Sequence, residues 1–199
     1  MLPPIAQFFD PKAILRERMK AERRNAAKAR PDAGVHAARN FMSAGFMDRD
    51  QRPKDLIVSL YYPMRQELDT EPLVAALIEA GAQIALPVVA RKKSPLVFRL
   101  YQPGDALVRG SYGEKTPDET APEVTPNILA VPLLGFTRAG GRLGYGGGYY
   151  DRTLAALRQS QSIIAVGYAF GAQEVDALPL TALDQPLDWI VTERGAIRC

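Results

Sequence analysis

A chain of 199 residues, 47% of them apolar and 24% charged, is long enough for one compact domain with a real core and short enough not to need two. One cysteine, Cys199, excludes an intramolecular disulfide, and with one histidine, His36, zinc clusters, Cys/His nucleophile pairs and Ser/His/Asp triads are excluded or left with a single candidate imidazole, so a metal here would need mostly oxygen ligands and would be Mg²⁺ before zinc or copper. The net charge of +3 is uneven: residues 1–30 hold eight Lys or Arg against Asp10, Glu17 and Glu22.

The amino end, MLPPIAQFFD, has neither a basic start nor a long apolar run, and the longest apolar stretch, ILAVPLLGF, is far short of the roughly 20 residues that span a bilayer. A soluble, unexported, cytoplasmic protein is the expectation. Asp10 followed by Pro11 predicts an N-cap and first helical residue, and the Ala/Leu/Arg/Lys/Glu-rich run from 12 to about 30 predicts a helix that Pro31 stops. A second helix is expected over 33–47, with His36 as a surface residue on it, then the polar turn DRDQRPKD and a first strand in DLIVSLYYP.

Residues 71–80 carry Leu73, Val74, Leu77 and Ile78 at helical spacing before Gly81, and AQIALPVV follows as a strand. Further strands are expected at LVFRLY after the basic turn ARKKSP, at 128–136 (ILAVPLLGF) and at SIIAVGYAF, with a helix from YYDRTLAALRQ between the last two. The Pro/Gly/acid-rich stretch 102–127 reads as a surface loop, and DWIVTERGAIR as a last strand and a turn. Strands alternating with helices predict a single α/β layered domain with a largely parallel sheet flanked by helices.

The densest chemical signal is LGYGGGYYDR, 143–152, with four glycines inside five positions, between a buried strand and a helix. Glycines admit φ > 0 and close backbone approach, so successive N–H groups can form an anion nest to which the helix N-terminus adds. It is neither common phosphate loop: there is no Lys-Ser/Thr pair, and Tyr149 replaces the third glycine of G-x-G-x-x-G. On its own the cluster is equally a flexible turn with an aromatic plug. Asp151 narrows the choice, because a carboxylate beside a phosphate nest repels the ligand unless a cation lies between them, and Mg²⁺ needs few protein ligands. Lys12 and Arg16, four apart on one helix face, can complete a phosphate clamp or only meet solvent. A surface for single-stranded nucleic acid would want aromatics among the charges, and residues 12–30 have none, so no nucleic-acid partner is expected.

LGYGGGYYDR, with VPLLGF before it and PLDWIVTE after it, resembles the 5-formyltetrahydrofolate cyclo-ligase family, also called methenyltetrahydrofolate synthetases, and the likeness runs from KAILR through YYPMRQELDT to the carboxyl end. The resemblance implies cyclisation of 5-formyltetrahydrofolate, with or without a polyglutamate tail, to 5,10-methenyltetrahydrofolate, using ATP and Mg²⁺. It assigns ATP contacts to Lys12, Arg16, Arg142, Gly144, Gly146, Gly147, Gly148, Tyr149 and Tyr150, and folate contacts to Tyr62, Glu67, Tyr145 and Tyr149. It assigns the metal to Asp151 and Asp184, with Asp188 a competing second carboxylate. No membrane and no obligate protein partner are implied. Thr137 departs from the family pattern, where an aspartate often follows the phenylalanine of the VPLLGF-like strand. Arg91, Lys92 and Lys93 form a basic cluster to which the resemblance gives no role.

Overall fold

The computed structural model describes residues 10–47 and 56–199; the expected turn at 48–55 lies outside them. Helix α1, Pro11–Ala29, begins as its sequence dictates: the Asp10 side chain accepts from the Lys12 amide at 2.9 Å and Pro11 fills the first turn. Helix α2, Ala33–Ser43, is shorter than expected. The chain turns inward after Ala44 because Phe46 packs edge-on against Phe41 at 4.9 Å and Trp189 at 5.2 Å, a gain unavailable to a helix running on to 47.

Strand β1, Ile57–Ser59, leads through a long turn to α3, Glu71–Glu79, and back into β2, Gln83–Val88, which runs parallel to β1. Strand β3, Val97–Tyr101, is antiparallel to β2. The stretch expected to be a loop is not one throughout: β4, Leu107–Arg109, and β5, Lys115–Pro117, form a hairpin, and β6, Glu123–Val124, extends the main sheet beside β3. Strands β4 and β6 bury little, β5 buries Thr116 and Pro117, and none of the three carries an apolar alternation; pairing and the Thr116 hydroxyl bonded to the Pro87 carbonyl at 3.0 Å hold them.

Strand β7, Ile128–Val131, stops at Pro132, which cannot donate to a central ladder, so the single strand expected over 128–136 is broken. The chain resumes as a small ladder of β8, Gly135–Phe136, and β9, Arg142–Leu143. Helix α4, Tyr149–Ser160, opens directly after the glycines, and β10, Ile164–Tyr168, returns parallel to β7. The final segment forms two strands, not one: β11, Trp189–Thr192, and an antiparallel β12, Gly195–Arg198.

The main sheet runs β12-β11-β10-β7-β1-β2-β3-β6, with β11, β10, β7, β1 and β2 mutually parallel and antiparallel strands at both edges. This is the α/β layered fold with a largely parallel sheet. Side-chain alternation serves two layers: Ile128 and Ala130 join a core with Phe41, Leu73 and Leu77 of α2 and α3, while Leu129 and Val131 join another with Leu154 of α4. From β1 the chain moves outward through β2, and from β7 it moves the opposite way through β10. The carboxyl ends of β1 and β7 therefore flank a topological switch point, where an open α/β sheet leaves a crevice. Among the described residues, no helix is long and apolar enough to cross a membrane.

Candidate active site

The segments leaving β1 and β7, one face of α1 and the loop before β11 enclose a cavity of about 580 Å³, within the range of small-molecule sites. Every residue to which the family resemblance assigned ATP, folate or metal lines it, with the exception of the alternative acid Asp188.

The glycine loop makes one wall. Gly146 at φ +97° and Gly148 at φ +65° occupy conformations that a side chain would strain, and a Cβ on Gly148 would come within 2.9 Å of the Arg152 guanidinium. Gly148 is the N-cap of α4 and offers no side-chain acceptor, which leaves first-turn N–H groups available to a ligand. Arg16 Nε donates to the Gly144 carbonyl at 3.0 Å, tying α1 to this loop. Met19, one turn on from Arg16, is buried with Leu134 and Leu143 and anchors the helix here.

Asp151, in the first turn of α4, accepts from Arg142 Nη2 at 2.6 Å and from the Gln185 amide at 3.2 Å. Arg142 is 7% exposed, lies 5.6 Å from the centre of the Tyr150 ring, and keeps its Nε buried without a partner. Asp184 accepts from Lys12 Nζ at 2.8 Å and from the Thr181 amide at 2.6 Å. Burial alone would raise the Asp184 carboxyl; the hydrogen bonds from Lys12 and Thr181 outweigh it and hold the group below its ordinary value. Because Gln185 touches Asp151, the two acids belong to one wall. Their hard oxygens suit Mg²⁺. No group of three or more His, Cys, Asp or Glu side chains comes together among the described residues, so any Mg²⁺ here would complete its shell with water and phosphate oxygens. Asp188 instead accepts from the Ala165 amide at 2.7 Å and from Arg158 at 3.0 Å, outside the cavity lining, where it pins the start of β11.

The opposite wall carries Tyr62 and Glu67. Glu67 Oε2 accepts from the Met64 amide at 2.8 Å, and Oε1 accepts from the Tyr145 hydroxyl and, at 3.5 Å, from Arg23. Although Tyr145 is 43% exposed, its hydroxyl sits between Glu67 and Arg23; burial, then the Glu67 carboxylate, holds the phenol well above its ordinary value against the pull of Arg23. It stays a donor. Tyr149 meets Tyr112 hydroxyl to hydroxyl at 2.7 Å, and Lys115 lies 5.1 Å over the Tyr62 ring, so the β4–β5 hairpin overhangs the cavity.

Tyr112, Lys115, Thr181 and Arg23 were not singled out by the sequence. Arg23 had a signal: it follows Arg16 by seven residues, on the helix face shared with Lys12. Tyr112 and Lys115 had none, because their stretch was read as a loop. Arg91, Lys92 and Lys93 do not line the cavity; Arg65, Arg109 and Lys115 line an adjoining groove of about 360 Å³. His36 sits on the α2 surface, 3.1 Å from Asp32.

The 5-formyltetrahydrofolate cyclo-ligase family model matches residues 10–193. The 5-formyltetrahydrofolate cyclo-ligase of Escherichia coli strain K12 is 37% identical over 140 residues, covering 68% of this chain and 76% of its own. That of Mycolicibacterium smegmatis is 29% identical over 196 residues, covering 94% and 95%. The solved 5,10-methenyltetrahydrofolate synthetase of Aquifex aeolicus superimposes with a TM-score of 0.77 at 29% identity, covering 94% of this chain and 92% of that one. The Mycoplasma pneumoniae synthetase, 21% identical, shares the fold with a TM-score of 0.65. A match from the capping aspartate of α1 to the end of β11, with the glycine loop, both cavity acids and Glu67 inside it, places the chain in the 5-formyltetrahydrofolate cyclo-ligase family.

Proposed function

We propose that this chain, acting as a single domain in the cytoplasm, converts 5-formyltetrahydrofolate to 5,10-methenyltetrahydrofolate with ATP and Mg²⁺ and releases ADP and phosphate. The observation that carries this reading is that one cavity brings together a glycine loop with two helix cations, two carboxylates, and a wall of phenol and carboxylate.

The formyl oxygen is a poor leaving group. Its attack on the γ-phosphorus expels ADP and makes it a good one; N10 then attacks the activated carbon, loses its proton as the ring closes, and phosphate departs with the former formyl oxygen. This route needs no protein nucleophile, in keeping with a cavity lined by no histidine and no cysteine. The residues position and neutralise, as phosphoryl transfer requires. Lys12 and Arg16 neutralise phosphate charge, with Arg142 beside Asp151. Gly144, Gly146, Gly147 and Gly148 let the backbone approach the phosphates, with Tyr149 and Tyr150 against the nucleotide. Asp151 and Asp184 would hold Mg²⁺, which supplies charge stabilisation on the transferring phosphoryl group. Tyr62, Glu67, Tyr145 and Tyr149 face the folate, whose pterin N–H groups match the Glu67 carboxylate.

The reading is tested by incubating the purified chain with Mg-ATP and 5-formyltetrahydrofolate. The near-ultraviolet absorbance of the methenyl product is expected to rise, and no rise above an ATP-free control would reduce the protein to a non-catalytic relative that kept the cavity.

A further inference from the structure

One buried cation at the folate end is not used by the reaction as described. Arg23, midway along α1, is 3% exposed and lies behind the cavity wall. Its Nη1 donates to the Tyr145 hydroxyl and, at 3.5 Å, to Glu67 Oε1, and the guanidinium lies 5.6 Å from the centre of the Tyr145 ring. The Glu67 side chain is 5% exposed, so both charges of the pair are out of water. A buried ion pair is a poor source of stability, because apolar residues of similar volume serve as well or better, whereas it fixes geometry tightly. Arg23 also keeps its Nε buried without a partner, which a purely structural arginine rarely tolerates.

The contacts join three segments far apart in the chain. Glu67 is tied to its own turn through the Met64 amide, Tyr145 belongs to the glycine loop, and Arg23 meets both from a helix whose Lys12 and Arg16 sit eleven and seven residues earlier. We propose that Arg23 is a positioning residue for the folate, holding Glu67 as an oriented acceptor and anchoring the Tyr145 phenol. One helix thereby sets both ends of the cavity: Lys12 and Arg16 at the phosphate end, Arg23 at the pterin end. This inference rests on the functional reading above.

The test varies both substrates for the full chain and for Arg23→Met, Arg23→Lys, Glu67→Gln and the Met/Gln double variant. Arg23→Met is expected to raise the KM for 5-formyltetrahydrofolate about tenfold or more, the scale of lost hydrogen bonds to a charged group. The KM for ATP should stay within about twofold, and Arg23→Lys should recover part of the loss. Glu67→Gln should raise the same KM, and the double variant should be no worse than about threefold beyond Glu67→Gln alone, because the two side chains act as a unit. An unchanged folate KM in Arg23→Met, with only a lowered Tm, would overturn the proposal, as would additive effects. Should Arg23→Met fail to fold by circular dichroism, Arg23→Lys decides: a folate-selective rise supports positioning, and kinetics like the parent's overturn it. A parent chain that does not turn over defeats the functional reading and this inference with it; a parent that does, beside an unaffected Arg23 series, defeats this inference alone.

Discussion

Asp151 shows how far a single residue's neighbourhood constrains its role. An acid in the first turn of a helix is ordinary as a partner for the dipole. This one also accepts from a nearly buried arginine and from the amide next to Asp184, at the start of the helix that follows the glycines. Its charge is therefore matched by Arg142 in the chain, and under the proposed function a Mg²⁺ would join it when phosphates bind. Asp151→Asn keeps the shape and removes the charge. It is expected to lower kcat by about 100-fold or more, the scale of losing one electrostatic contact to the transition state, while the Kd for 5-formyltetrahydrofolate changes by less than about twofold. Steady-state kinetics beside calorimetric folate binding checks this, and equal activity in the variant would remove Asp151 from the metal.

At the scale of elements, α1 and the glycine loop work as one device. The helix is held by Met19 and reaches the loop through Arg16, and the loop can approach it because Gly146 and Gly148 take positive φ. Gly148→Ala forces a side chain into the left-handed region and against Arg152, so it should cost about 1–2 kcal/mol of stability. Its KM for ATP should rise more than its KM for folate; a thermal melt and initial rates measure both. These elements were legible in the sequence, from Asp10-Pro11 at one helix start to Tyr149 at another, because capping and glycine chemistry are local. The strands of 102–127 were not. Their residues lack alternation and gain order by pairing with β3 and with each other and by the Thr116 contact to β2, which no local window displays. Pro132 was visible and its effect on the 128–136 run was available from the sequence; apolar continuity masked it. The partnership of Arg23 with Glu67 spans 44 positions and needs the folded chain to be seen.

For the whole molecule, the decisive fact is where the sheet reverses direction. β1 and β7 are adjacent and parallel, yet their onward connections leave to opposite sides, so Tyr62 and Glu67 after one strand face the glycine loop after the other across the crevice. The core that makes this geometry is apolar, being built from residues such as Leu129, Val166 and Ile190. A chelator is accordingly expected to abolish turnover while leaving the far-ultraviolet circular dichroism and the Tm within about 2 °C of the untreated chain, on the size of shift that a change well under 1 kcal/mol produces. A collapse of both together would make the metal structural. The central claim, that this crevice joins phosphoryl transfer to ring closure, is met most directly by counting products. Per methenyl product formed, the account predicts one ADP and one phosphate, and none of the three when ATP or Mg²⁺ is omitted. Methenyl product accumulating above the spontaneous rate without ADP, or ADP accumulating without methenyl product, would contradict it.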